Sequence, residues 1–207
     1  NFGNTLKKIG GMVAMAFGTA AIINFAKESV KAASALNDAW IGLESIVAGQ
    51  GKSFSKAKSF INEYISDGLV PLQDAVTSYK NLAARGYSSE QIEKTMIALK
   101  DAAAFGRQST YSLGEAVATA TENENSILVD NAGVTKNVAK MWDEYAASIG
   151  TTANKLTQEQ KIQAEVNGIL KETKFQTGDA AKLVNTYSGQ IALLGYNFQN
   201  LKVQVGN

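Results

Sequence analysis

Side chains able to do acid–base work are present in this chain, but few stand in a spacing that uses them. The paired carboxylates are Glu122 with Glu124 and Asp143 with Glu144. Glycoside hydrolysis needs two carboxyls about 5–10 Å apart across a cleft, one kept protonated by an apolar pocket. Glu122 and Glu124 instead fall in the polar run Thr121-Glu122-Asn123-Glu124-Asn125. Asp143 and Glu144 follow Trp142 on the side of a helical pattern that faces water. Both pairs read as solvated. The 207 residues include no His and no Cys. That removes imidazole and thiolate as bases, nucleophiles and metal ligands, and leaves Ser and Thr without their usual activator. Ser109 and Thr110 beside Arg107 read as a loop and helix cap. No phosphate-binding glycine motif occurs, and Gly10-Gly11 and Gly49-Gln50-Gly51 lack the strand-then-helix context. Lys52, Lys56 and Lys58 read as a solvated basic face. The expectation is a chain with no catalytic site, no cofactor and no metal.

The composition points the same way. Lys plus Arg number 20 against 19 Asp plus Glu, a net charge of +1. Nucleic-acid binding by counterion release needs a clustered cationic face, so no specific nucleic acid is expected. Trp142, Tyr145 and Tyr187 stand at helical spacing and read as core rather than as a stacking platform for bases.

The positioning elements are predicted to be helices. Ala is abundant, Pro71 is the single proline, and apolar residues recur with helical rather than alternating period. A first long helix is predicted over 5–47, with Val30, Ala33, Leu36, Trp40, Leu43 and Val47 on one stripe, ended by Gly49-Gln50-Gly51. A second covers 55–66, with Phe54, Ala57, Ile61, Tyr64 and Ile65 inward. Pro71 opens a third in its first turn, with Leu72, Val76, Tyr79 and Leu82 inward. Capping boxes at Ser88/Gln91, Ser112/Glu115 and Thr157/Gln160 mark three more helix starts. The first of these presents Ile92, Met96, Leu99 and Ala103 inward and ends at Gly106. Ile127-Leu128-Val129 is too short to assign to helix or strand. Val134, Val138, Met141, Trp142, Tyr145 and Ile149 form one helical face, and Ile162, Val166, Ile169 and Leu170 another. Asp179 caps a last helix whose seam is Leu183, Tyr187, Ile191, Leu194, Phe198, Leu201 and Val205, spaced mostly by three and four as in a coiled coil. The predicted class is all-α, divided as a long apolar helix (1–50), a compact multi-helix region (51–180) and an exit helix (181–207).

Residues 9–26 read IGGMVAMAFGTAAIINFA, without a charge. Gly10, Gly11, Ala14, Gly18 and Ala21 form a small-residue stripe that lets helix backbones approach closely. The run is at the lower limit for a membrane span, and burial against protein explains it equally well. Lys7 and Lys8 before it mimic the start of a secretory signal, but the run continues into a long helical pattern with no cleavage site. A chain that opens on Asn1 and stops on Gly206-Asn207 in mid-pattern reads as a segment of a longer protein.

The order of marks over 131–181 resembles phage tail tape measure proteins. They are Asp130-Asn131-x-Gly133, Trp142, Tyr145-Ala146, Gly150-Thr151, Leu156-Thr157, Gln160-Lys161, Asn167-Gly168-Ile169, Glu172-Thr173 and Gly178-Asp179. Ala39-Trp40, the run from Leu82 to Ser88, and Ser188-Gly189-Gln190-Ile191 with Leu194-Gly195 extend the likeness over most of the chain. Glu122-Asn123-Glu124-Asn125 departs from it, where a Gly-containing turn is expected. The resemblance implies a structural and assembly protein of a phage or phage-like tail, one that sets tail length and assists genome ejection. It implies tail tube and tail tip or baseplate proteins and tail assembly chaperones as partners. It also implies residence in the virion tail and, during assembly, the host cytoplasm, and the uncharged run at 9–26 adds the host membrane on ejection as an expected partner. From the seam, a homo-oligomer of three or more copies is expected. The alternative is a helical membrane-active or pore-forming module acting at the host envelope, with the stripe at Gly10, Gly11, Ala14, Gly18 and Ala21 as its membrane contact. A fused cell-wall hydrolase is a third class, against which the missing His and Cys count.

Overall fold

In the computed structural model, residues 19–107, 110–122, 134 and 136–206 are described, with side chains from Ala26 onward except that of Tyr187. Among the described residues there are nine α-helices and no strand, so the all-α expectation holds. The helices are α1 (Thr19–Gly49), α2 (Phe54–Ile65), α3 (Leu72–Ala84), α4 (Ser89–Gly106), α5 (Leu113–Ala120), α6 (Val138–Ser148), α7 (Gln158–Glu172), α8 (Asp179–Val184) and α9 (Tyr187–Gly206). A single 3-10 turn, Ala153–Lys155, joins α6 to α7.

Local chemistry places the helix starts. All three capping boxes form, each hydroxyl accepting the N3 amide while the N3 side chain returns to the cap N–H. Ser53 and Asn137 cap α2 and α6 in the same sense. Pro71 is the N-cap of α3 rather than a residue of its first turn. Arg107 ends α4 by donating from Nη1 to the Ala103 and Ala104 carbonyls at 3.1 and 2.7 Å, which satisfies orphan acceptors of the last turn.

The core is organised around α4. Its buried positions run almost all round its axis, Ile92, Met96 and Leu99 together with Ala98 and Ala102 to Ala104. Helices α2, α3, α5, α7 and α8 pack on it. Ala57, Ile61, Tyr64 and Ile65 of α2 and Val76, Tyr79 and Leu82 of α3 are buried as the spacing requires, and Ala39, Leu43 and Val47 bring the end of α1 into the same cluster. Helices α6 and α7 form a hairpin in which Val138, Met141, Ile162, Val166 and Ile169 are buried.

Three packing expectations need correction. Val30 is 60% exposed, and the buried residues at that end of α1 are Ser29 and Ala32. The partner there is α9, whose Gly206 lies so close that a Cβ on it would stand 2.2 Å from the Ser29 carbonyl oxygen. Only small residues fit such a backbone approach, so the contact falls beside the aliphatic stripe. Leu170 and Ile149 are 38% and 46% exposed, because α7 and α6 present Ala164 with Glu165 and Ala146 inward instead. The predicted last helix is two helices: α8 ends at Val184, and α9 starts afresh after Asn185 and Thr186. The Thr186 hydroxyl accepts the Gly189 N–H at 3.2 Å and so acts as a new cap. The predicted helix over 5–47 is observed from Thr19, and its earlier part lies outside the described residues, as do Ile127-Leu128-Val129.

Candidate functional site

The sequence-predicted contact residues come together only in part. Gly10, Gly11, Ala14 and Gly18 lie outside the described residues. Ala21 is in α1, with its side chain outside them. Leu183 is on α8, half-buried against the core, and is cut off from the other seam positions by the Asn185–Thr186 break. Tyr187 opens α9. Ile191, Leu194 and Phe198 are 52%, 65% and 49% exposed, while Leu201 and Val205 are half-buried. The face of α9 that meets the rest of the molecule carries Ala192 and Tyr196, with Gly206 against α1. At about 100° per residue the seam lies on the opposite side of α9. The spacing therefore defines an apolar face turned away from the core, exposed at Ile191 and Leu194 and half-buried at Leu201 and Val205, with Lys202 Nζ 5.0 Å from the Phe198 ring.

The densest polar chemistry is a cluster the sequence did not announce. Glu165, on α7, is fully buried. Its Oε2 accepts from Arg85 Nη2 at 2.5 Å and from the Tyr87 hydroxyl, and its Oε1 accepts from Trp142 Nε1 at 3.0 Å. Arg85 ends α3, Tyr87 follows it, and Trp142 comes from α6, so one carboxylate joins three parts of the fold. The Arg85 guanidinium also stacks 5.3 Å from the Tyr87 ring, and its Nε and Nη1 are buried without a hydrogen-bond partner. With both of its oxygens engaged by three donors from the fold, Glu165 is built as a structural tie. The signal for it was its register: it falls between Ile162 and Ile169, inside the stripe that Val166 marks as buried.

A second polar set lies across α4. Lys100 Nζ bridges Asp67 at 2.5 Å and the Tyr64 carbonyl at 2.6 Å, and it sits 4.5 Å from the Tyr64 ring centre. Asp101 accepts the Gly178 and Ala180 N–H groups at 2.9 and 3.1 Å and so caps α8 from a distant part of the chain. Burial, with the charges of Asp67 and Asp101, pushes the Tyr64 phenol well above 10.0. Burial next to Glu115 raises the Asp74 carboxyl as well.

Asp143 and Glu144 are exposed, as expected, and Glu144 is an ion-pair partner of Lys136 at 2.9 Å. The hydrogen bond from Lys136 holds the Glu144 carboxyl below its usual 4.5, and the same bond raises Lys136. A carboxyl lowered on folding stabilises the fold above its unfolded value and loses that contribution as the pH falls through the folded one. Glu144→Gln is therefore expected to lower the unfolding midpoint at neutral pH, by an amount that shrinks as the pH falls below 4.5. Thermal unfolding of both forms across that range checks it, and a difference independent of pH would show the pair to be energetically silent.

Among the described residues no group of three or more acidic side chains is placed to hold a metal ion. No described helix is long and apolar enough to cross a membrane. No protein-family model matches the chain, and no solved structure matches it significantly.

Proposed function

We propose that this chain is a segment of a phage or phage-like tail tape measure protein and acts as a structural, non-enzymatic part of tail assembly. The observation that carries the reading is the outward apolar face of α9, where Ile191 and Leu194 are 52% and 65% exposed on a helix whose other side is packed. An assembly element needs such a face for partners. The ordered motif marks over 131–181 supply the family. The polar clusters at Glu165 and Asp101 are consumed in holding helices together, which suits a scaffold better than an enzyme.

On this reading tail tube and tail tip or baseplate proteins and assembly chaperones are the partners, and the α9 face joins copies of the chain. Leu194→Asp is expected to reduce the mass of the assembled species in sedimentation equilibrium without changing helix content. An unchanged mass removes α9 from the assembly. In-frame deletion of residues 187–206 from the parent gene is expected to give absent tails or tails of altered length in electron micrographs. Normal tails of normal length would overturn the tape measure reading.

A further inference from the structure

The heptad does not stop where the helix does. Read back from Val205, Leu201, Phe198, Leu194, Ile191 and Tyr187, the alternation of three and four falls next on Val184, the last residue of α8. A strict register of about three heptads belongs to one continuous helix, which keeps its seam on one line. The fold bends inside that register, at Asn185–Thr186.

Nothing in the covalent chain forces the bend. Neither residue is Gly or Pro, and Asn185 already holds φ −81° and ψ −2°, in the right-handed helical region. Side chains hold it instead. The Thr186 hydroxyl donates to the Leu183 carbonyl at 2.7 Å and accepts the Gly189 N–H at 3.2 Å, and Gln190 Nε2 donates to the Val184 carbonyl at 2.7 Å. In a continuous helix those two carbonyls take the Tyr187 and Ser188 N–H groups. The bend also requires glycine at 189. A Cβ there would stand 2.6 Å from the Val184 Cα and 2.8 Å from the Leu183 carbonyl carbon. On one straight helix, residues five and six apart are separated by about 7–9 Å along the axis, so the clash belongs to the bent form alone.

The docked position of α9 is incompletely packed. An open groove of about 590 Å³ remains between it and α1, and its ion pair with α1, Lys202 to Glu28, has a largely exposed carboxylate and contributes little. Docking also costs the seam part of its surface, because Leu201 and Val205 are half-buried there while Ile191 and Leu194 are open.

We infer that the Asn185–Thr186 bend is a switch. α8 and α9 join into one helix, α9 leaves α1, and the face from Val184 to Val205 pairs with the same face on further copies of this chain. The bent form is the single chain and the straight form is the assembled one. The inference rests on the self-association of α9 proposed above and adds the change of shape that goes with it.

The chain has no native Cys, so Glu28→Cys with Lys202→Cys places two thiols across the α1–α9 contact. Dyes on this pair, with labelled chain diluted into unlabelled chain, report the bend by energy transfer, while sedimentation equilibrium reports mass. Transfer is expected to fall as mass rises with concentration, because α9 has 20 residues and its end moves on the order of its own length, about 30 Å. A cleavable bis-maleimide across the same thiols should hold the protein at the mass of one chain, and cleavage should restore assembly. Gly189→Ala should lower the concentration needed for assembly at least about tenfold, since it removes the competing bent state, and adding Leu194→Asp should cancel that gain. Rising mass with unchanged transfer, or assembly of the cross-linked chain, overturns the switch and leaves pairing through the bent α9 in place. A Gly189→Ala chain that unfolds earlier in urea and assembles no better than wild type also overturns it. No assembly of any form removes the self-association and the switch with it.

Discussion

Glu165→Ala is expected to destabilise the protein by about 3–5 kcal/mol, the usual result of removing one partner of a buried ion pair. The variant leaves Arg85 with its guanidinium buried and its one ion pair gone, beside two nitrogens that already lack partners. It also frees the Tyr87 hydroxyl and Trp142 Nε1 of the carboxylate they donate to. At roughly 2–4 °C per kcal/mol for a chain of this size, the midpoint should drop on the order of 10 °C. The near-ultraviolet signal of Trp142 should change in the folded state. Glu165→Gln keeps the volume and loses the charge, so it should fall between wild type and Ala. Pairing Glu165→Leu with Arg85→Met removes both charges and should recover much of the loss, as replaced buried pairs often do. A loss below about 1 kcal/mol for Glu165→Ala would mean that water reaches Arg85 and that the cluster is not a closed tie.

Gly68→Ala is the second large effect, expected at about 2–5 kcal/mol. Gly68 has φ +77°, which costs an L-residue roughly 1–2 kcal/mol. A Cβ there would also stand 2.7 Å from the Leu193 Cα and 3.1 Å from the Ala192 carbonyl oxygen. Those atoms are α9 backbone, so relief requires the helix to move away, at a further 1–3 kcal/mol or so. The variant should raise amide exchange along α9 before the rest of the molecule, and should lower the urea midpoint. If exchange in α9 is unchanged and only the backbone cost appears, the turn at Gly68 does not fasten α9.

The two variants test different levels of the fold. Glu165 ties the α6–α7 hairpin to the end of α3, whereas Gly68 sets how closely α9 lies on the α2–α3 loop. Neither was singled out by residue type and spacing. A lone Glu within a helix is solvated far more often than buried, and a Gly after an Asp reads as an ordinary turn.

What the sequence determined by itself is local. The helical class, the three capping boxes, the α4 stripe of Ile92, Met96, Leu99 and Ala103, and the apolar seam on α9 all follow from interactions between residues three or four apart. Such interactions exist before any tertiary contact forms, so periodicity reports them. Only the tertiary structure decided which face met which. It turned α1 so that Ser29 and Ala32, not Val30, lie inward, because the α9 backbone comes too close there for a larger side chain. It broke the exit helix at Asn185–Thr186, and it capped the start of α8 with Asp101, many residues away in the chain. It left Ile191, Leu194 and Phe198 outward, and it buried Glu165 because Arg85 and Tyr87 from the end of α3 and the turn after it, and Trp142 from α6, converge on it. Each of these outcomes depends on the distance between segments remote in sequence, and a pattern along one helix carries no record of that distance.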